Sequence, residues 1–300
     1  MIQKAISEKD IKHWPWAKSH ACVPTTLEFE NFYRIYFSPR NQFGKSIPVY
    51  VDLDINTLEV INYGEQIIDL GEIGAFDDGG IMPCCVLRVD DKIYLYYVGW
   101  NPSVSVPYRN SIGLCVSNDD GKTFERVHKG PIVDRNITEP FFTASPCVIK
   151  DGNIFKMWYV SSTGFMQVEG GYTPLYHIKY AESKDGIIWD RLNISCIPPK
   201  YEGECTARPT VIIEDSIYKM WYCYRGSLDY RGGKDSYQIG YAESKDGITW
   251  ERLDNSFNMP ITDENNNMSC YPNILKRNDG KIMFFNGNDF GKEGIEYILI

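Results

Sequence analysis

Residues 179–192 read KYAESKDGIIWDRL, and residues 240–253 read GYAESKDGITWERL. A looser copy, GLCVSNDDGKTFERV, occupies residues 113–127. A chain that writes one sentence three times is built from repeats, and the repeat unit decides the fold. Upstream of the first two copies the likeness continues. IFKMWYVS at 154–161 matches IYKMWYCY at 217–224, and SPCVIKDG at 145–152 matches RPTVIIED at 208–215. Pro146 lies 12 residues before Trp158, and Pro209 lies 12 before Trp221. Pro24 precedes YRIYFS with Tyr36 at the Trp position, Pro83 precedes IYLYYVG with Tyr97 there, and Pro272 precedes IMFFNG with Phe284 there. The five prolines, 24, 83, 146, 209 and 272, stand 59, 63, 63 and 63 residues apart.

Each unit reads as short strands: a Pro-led apolar run, a polar turn, an aromatic alternating strand, a third strand (SIGLCVS, HIKYAES, QIGYAES) and a fourth that opens at the Arg-containing row. Asp-Gly pairs mark the turns, a strong local hairpin signal. No long segment has helical periodicity. The spacing predicts an all-β five-bladed β-propeller of four-stranded blades, a single domain over 1–300. The fifth unit stops at Ile300, too early for a fourth strand, so the segment before Pro24 is expected to supply it and close the ring.

Composition sets the outer limits. The chain has 300 residues, 43% apolar and 14% aromatic, enough for one large all-β core. Its formal net charge of −9 argues against nucleic acid held by phosphate contacts. No apolar run is long enough to span a membrane, and MIQKAISEKDIKHWPWAK has no secretory h-region, so a cytoplasmic protein is expected. The nine cysteines include no C-x-x-C pair, and several lie in strand-like runs, which reads as reduced and buried. No ligand spacing calls for a metal or another cofactor. A monomer or homodimer is expected.

The repeated row fits S-x-D-x-G-x-[TS]-[WF] at SNDDGKTF, and its two other copies are one residue shorter. This is similar to the Asp box of sialidase propellers. Asp119, Asp185 and Asp246 are read as turn-holding residues at the outer rim, with no catalytic part. The chemistry is expected where the innermost strands begin, in SHACVP, FDDGGIMP, EPFFTASP, YEGECTARP and NNNMSCYP. These entries nominate Asp77, Asp78, Glu139 and Glu204 as acid and base, with Glu202 nearby, and Arg208, His20 and Tyr271 as sugar contacts. A paired acid and base with stacking aromatics is what glycoside chemistry needs. The ends of the second strands and an adjoining loop add Trp100, Asn101, Tyr108, Arg109, Arg225, Asn286 and Asn288 as substrate contacts.

With its five Pro-led blades and YAESKDG rows, the chain resembles the five-bladed propeller glycosidases of glycoside hydrolase families 32, 43, 62, 117 and 130. In its DDGG-x-MP, YHIKYAESKDG and ARP segments it resembles cytosolic glycosidase-like proteins of bacterial surface-polysaccharide loci. The likeness spans about His20 to Ile300. It implies an enzyme that uses carboxylates around the channel. Where family 43 puts its base Asp, before the first-blade Pro, this chain has Val23. Where that family puts its acid Glu, two residues before the fourth-blade Pro, it has Ala207. Family 32 expects Glu-Cys-Pro, and here the segment reads GECTARP. The leading expectation is an enzyme acting on a glycosidic or sugar-phosphate bond of an intracellular or nucleotide-activated sugar in polysaccharide metabolism, by hydrolysis, phosphorolysis or transfer. The partner would be a small sugar, sugar phosphate or nucleotide sugar. The alternatives are a carbohydrate-binding propeller without catalysis and a protein-interaction propeller, the latter disfavoured by the absence of Trp-Asp repeats.

Overall fold

The computed structural model describes residues 1–231, 233–257, 259, 268–277 and 280–300, apart from the side chain of Asn288. Five four-stranded antiparallel sheets form a five-bladed β-propeller. The innermost strands are Ala17–Glu28, Gly80–Val89, Thr143–Asp151, Cys205–Glu214 and Cys270–Arg277, in blades 1 to 5. Blade 5 takes its outermost strand, Gln3–Ser7, from the N-terminal segment, paired antiparallel with Gly294–Leu299. The ring therefore closes by strand exchange between the ends of the chain, which leaves blade 5 with no missing strand.

Side-chain alternation on the second strands explains the packing between blades. Neighbouring residues on a strand point to opposite faces. In each second strand two adjacent aromatics sit back to back: Tyr36 and Phe37, Tyr96 and Tyr97, Trp158 and Tyr159, Trp221 and Tyr222, Phe284 and Phe285. The first of each pair packs into the cluster shared with one neighbouring blade, and the second into the cluster shared with the other. Five inter-blade cores result, each filled by aromatic rings that bury roughly 150–250 Å² apiece. A sixth cluster surrounds the channel and uses small thiols, among them Cys22, Cys84, Cys205, Cys223 and Cys270. All nine cysteines are free.

This pattern corrects one alignment read from the sequence. Tyr96, not Tyr97, occupies the Trp158 position, because Cys85 rather than Cys84 pairs with the aromatic residue as Cys147 pairs with Trp158. Blade 2 carries its proline one place earlier relative to that register.

The repeated rows lock blade to blade. Ser183 Oγ accepts from Gly186 N–H at 2.9 Å, and Asp185 Oδ1 accepts from Ile187 and Ile188 N–H at 2.8 Å each. Asp246 does the same with Ile248 and Thr249, and Asp119 with Lys122 and Thr123. Each turn then presents its glycine carbonyl to the blade before it. Tyr36 Oη donates to Gly121 O at 2.9 Å, Tyr96 Oη to Gly186 O at 2.9 Å, and Trp158 Nε1 to Gly247 O at 2.7 Å. Blade 5 lacks the row, and Trp221 Nε1, the donor that would reach it, has no partner among the described residues.

Candidate functional site

All five innermost strands break register at the same level, between Cys22 and Thr25, Pro83 and Cys85, Ala144 and Cys147, Ala207 and Thr210, and Cys270 and Asn273. In four of them the residue before the proline takes a left-handed conformation: Val23 (φ 60°), Ser145 (45°), Arg208 (48°) and Tyr271 (57°). In blade 2 Pro83 stands at the break, and its ring fixes φ near −65°. A left-handed non-glycine residue costs on the order of 1–3 kcal/mol, and bulges re-aim side chains. Four such residues at one level of the ring build the mouth of the channel.

Over that level lies a pocket of about 300 Å³ to which every blade contributes. Its walls carry Trp100 and Tyr108 from blade 2, Phe142 and Tyr176 from blade 3, Tyr230 and Tyr237 from blade 4, and Tyr271 and Phe290 from blade 5. Val23, Ser145 and Ala207 form part of its inner face. Arg40 and Arg231 are its charged lining, and no Asp or Glu lines it among the described residues. Gly80 is required here: a Cβ would come within 2.3 Å of Trp100 Nε1 and 2.9 Å of Ser46 N.

Two more guanidinium groups stand behind the wall. Arg208, 1% exposed, runs across the channel and donates to Cys84 O at 2.7 Å, Pro24 O at 3.0 Å and Thr25 Oγ1 at 3.2 Å, and its Nε has no partner among the described residues. Arg225, also 1% exposed, donates to Tyr176 Oη at 2.8 Å, Pro174 O at 2.8 Å and Gly226 O at 2.6 Å, and sits 4.0 Å from the centre of the Tyr230 ring. The oxygens they meet are carbonyls and hydroxyls. Neither charge is neutralised by these partners, so both add positive potential at the pocket. Tyr176 and Tyr237 share a short hydrogen bond beside Arg225. Burial pushes the Tyr237 phenol up to about 12, against the pull of Arg225, so it is a neutral donor at pH 7.

The expected carboxylates do not converge on this pocket. Asp77 is fully buried against the outer half of blade 2, where it accepts from Tyr97 Oη at 3.0 Å and from Arg126 Nε at 2.9 Å. Glu139 accepts from Tyr159 Oη at 2.9 and 3.0 Å and pairs with Arg191 at 3.1 Å and Lys179 at 3.5 Å. Glu204 receives both Nη atoms of Arg252 at 2.8 and 3.0 Å, and Arg252 also holds Asp254, which accepts from Tyr222 Oη. The three arginines are those of the FERV, WDRL and WERL rows. One acid–Tyr–Arg arrangement is thus repeated in blades 2 and 3, and blade 4 divides it between two acids, Glu204 on Arg252 and Asp254 on both Arg252 and Tyr222. Asp78 accepts from Gly74 N–H at 2.8 Å and closes its own turn. Glu202 is an exposed loop residue.

Of the expected sugar contacts, Trp100, Tyr108 and Tyr271 line the pocket. Arg208 and Arg225 are behind its wall. His20, half-buried, bonds Ser19 Oγ at 2.7 Å, and burial followed by the nearby Arg40 lowers its pKa to about 4. Asn286 is structural in its contacts: it accepts from Val23 N–H and donates to Ala21 O and Gly294 O, tying blade 5 to blade 1. Asn101 donates to Ala75 O, and with Arg109 it faces a depression outside the pocket. The side chain of Asn288 lies outside the described residues. Sequence reasoning missed Arg40, Arg231, Phe142, Tyr176, Tyr230, Tyr237 and Phe290. Arg40 stands at the end of a second strand, Tyr176 lies on the third strand of blade 3, Gly171–Ser183, Phe290 lies in the short helix Asn288–Gly291, and the others sit in loops, none in a direction the repeat encodes.

Comparison with known proteins places the chain. It is 33% identical over 288 residues to the uncharacterized protein MT1551 of Mycobacterium tuberculosis (strain CDC 1551 / Oshkosh), covering 93% of this chain and 92% of that one. The uncharacterized protein Rv1502 of strain H37Rv matches to the same extent. This chain belongs to the family of these two mycobacterial proteins. No protein-family model matches it. Among solved structures, BT0996 in complex with RGII superposes with a TM-score of 0.73 at 15% identity, over 94% of this chain and 88% of the other. A thermostable family-43 glycoside hydrolase superposes with a TM-score of 0.68 at 15% identity, over 93% and 88%. The chain thus has the propeller fold of these glycoside hydrolases. No helix among the described residues is long and apolar enough to cross a membrane.

Proposed function

We propose that this member of the family binds a sugar bearing a negative charge, as a sugar phosphate, nucleotide sugar or sugar acid, and acts on its glycosidic or sugar-phosphate bond. One observation carries the reading: the pocket is walled by aromatic rings and two arginines, with no lining carboxylate among the described residues, in a chain of net charge −9. Aromatic faces stack on sugar rings, and guanidinium groups match phosphate and carboxylate geometry. A neutral glycoside would need no such cations, and its departing alkoxide would need a general acid. A phosphate leaves with the bonding electron pair already stable on its oxygens, so the arginines can assist departure without a protonating carboxylate. Val23 and Ala207, where family 43 has its base and acid, support this departure from two-carboxylate hydrolysis. Under this reading Asp77, Glu139 and Glu204 hold the blades together. The absence of a lining carboxylate among the described residues also favours the second reading, binding without turnover.

Isothermal titration calorimetry with glucose, glucose 6-phosphate, glucuronate and UDP-glucose tests the binding, and ³¹P NMR of the mixtures tests turnover. The charged sugars are expected to bind, to weaken as salt rises, and to lose about tenfold or more in affinity with Arg231→Ala, a tenfold loss being about 1.4 kcal/mol. Equal affinity for glucose and glucose 6-phosphate would overturn the reading. Released phosphate or nucleotide separates catalysis from binding alone.

A further inference from the structure

Of the residues lining the mouth pocket, Asn110 also lines a depression of about 420 Å³ over blades 2 and 3, and Tyr108 and Phe142 one of about 210 Å³. Those two share Arg109, Arg135 and Phe141, so the three hollows adjoin one another and are together termed the cleft. The cleft has a cationic station at each end: Arg40 and Arg231 in the pocket, and Arg109 and Arg135 outside, where Asp134 is the one carboxylate among the described lining residues. Arg109 is exposed and pairs with no carboxylate among the described residues. Arg135 meets Asp134 only at 3.8 Å, with both side chains solvated, and Asp134 already accepts from Ser111 Oγ at 2.8 Å. An exposed pair of this kind holds little energy, which leaves the guanidinium available. Between the stations lie ring faces. Phe141 is 37% exposed and stands edge-on to Phe165, with the centroids 6.0 Å apart.

We propose that the outer depression is a second sugar subsite, which takes the next negatively charged unit of a linear anionic glycan whose end unit occupies the mouth pocket. The inference rests on the reading that the pocket holds an anionic sugar. A single sugar phosphate would leave the outer arginines and Phe141 without a role, and a neutral glycan would leave both cationic stations without one. An acidic protein repels a polyanion at long range, so it must place cations where successive charges land. Two arginine pairs joined by aromatic surface meet that requirement.

Calorimetry on the full chain tests it, with glucuronate, a hyaluronan tetrasaccharide, maltotetraose and UDP-glucuronate titrated into wild type and the Arg109→Ala/Arg135→Ala variant. Hyaluronan carries a carboxylate on every second unit, and maltotetraose is its neutral control. The tetrasaccharide is expected to bind wild type about tenfold or more tighter than glucuronate, equivalent to about 1.4 kcal/mol, and to lose that advantage in the double variant. Glucuronate affinity is expected to stay unchanged, because neither substituted arginine lines the mouth pocket. If glucuronate binds and the tetrasaccharide binds no tighter, the outer subsite is refuted while the pocket reading stands. If neither binds, both fall. A loss in the double variant confined to UDP-glucuronate would assign the depression to a nucleotide and overturn the proposal.

Discussion

Replacing Glu139 by Gln removes one negative charge from a site that is 2% exposed and leaves its shape nearly intact. The Tyr159 hydroxyl, which donates to both carboxylate oxygens, can still donate to the amide oxygen. What disappears is the counter-charge for Arg191 at 3.1 Å and Lys179 at 3.5 Å, whose side chains are only 12% and 9% exposed. Breaking a buried pair from one side costs about 3–5 kcal/mol, because the remaining cation is stranded away from water. Both cations keep some solvent contact, so the lower end, about 3 kcal/mol, applies here. At roughly 2 °C per kcal/mol for a chain of this size, the melting temperature should fall by about 6 °C. Arg191→Met should cost a similar amount, and the double variant less than the sum, since the second substitution removes the charge the first one stranded. Differential scanning calorimetry measures all three, and titration with glucose 6-phosphate on the folded variants measures the pocket. Glu139→Gln should bind as wild type does. A variant that melts like wild type yet has lost ligand binding or turnover would show that Glu139 belongs to the chemistry, and would refute its assignment as a strut.

Three further outcomes are expected from the scaffold and the channel. Asp246→Ala should lower stability by about 1–2 kcal/mol through the lost turn hydrogen bonds and leave ligand affinity unchanged. The N–H groups of Thr249 and then Ile248 hold the Asp246 carboxyl at about 2, against an ordinary 3.8. Its native pKa is depressed, so its contribution is present above pH 4 and fades as pH falls towards 2, and melts of wild type and Asp246→Asn should converge over that window. Arg208→Met leaves the carbonyls of Cys84 and Pro24 without their donor, so it should lower stability by about 1–3 kcal/mol and weaken binding of charged sugars, but not of glucose. Wild-type affinity for glucose 6-phosphate in that variant would remove Arg208 from the electrostatics of the pocket.

The sequence by itself determined the architecture. Five Pro-led units at a nearly constant period, alternating aromatic strands and three Asp-Gly rows specify five blades, because each unit presents two apolar faces that only neighbouring units can cover. The unpaired fifth unit required a strand from the N-terminal segment, and Gln3–Ser7 supplies it. The structural part of Asp185 and Asp246 was legible for the same reason: the hydrogen bonds of a turn are local and follow from residue order. Only the tertiary structure decided where the entry-loop carboxylates go. Asp77, Glu139 and Glu204 precede their innermost strands as channel residues would, yet each turns outward to an Arg on the fourth strand, Asp77 and Glu139 also to a Tyr on the second, whereas in blade 4 Tyr222 bonds Asp254 instead. A buried carboxylate goes where donors offset its desolvation, and those donors lie 20 to 52 residues away along the chain. The pocket is equally non-local. Arg40, Tyr176, Arg231, Tyr237 and Phe290 are scattered over four blades, and ring closure alone brings them to one mouth.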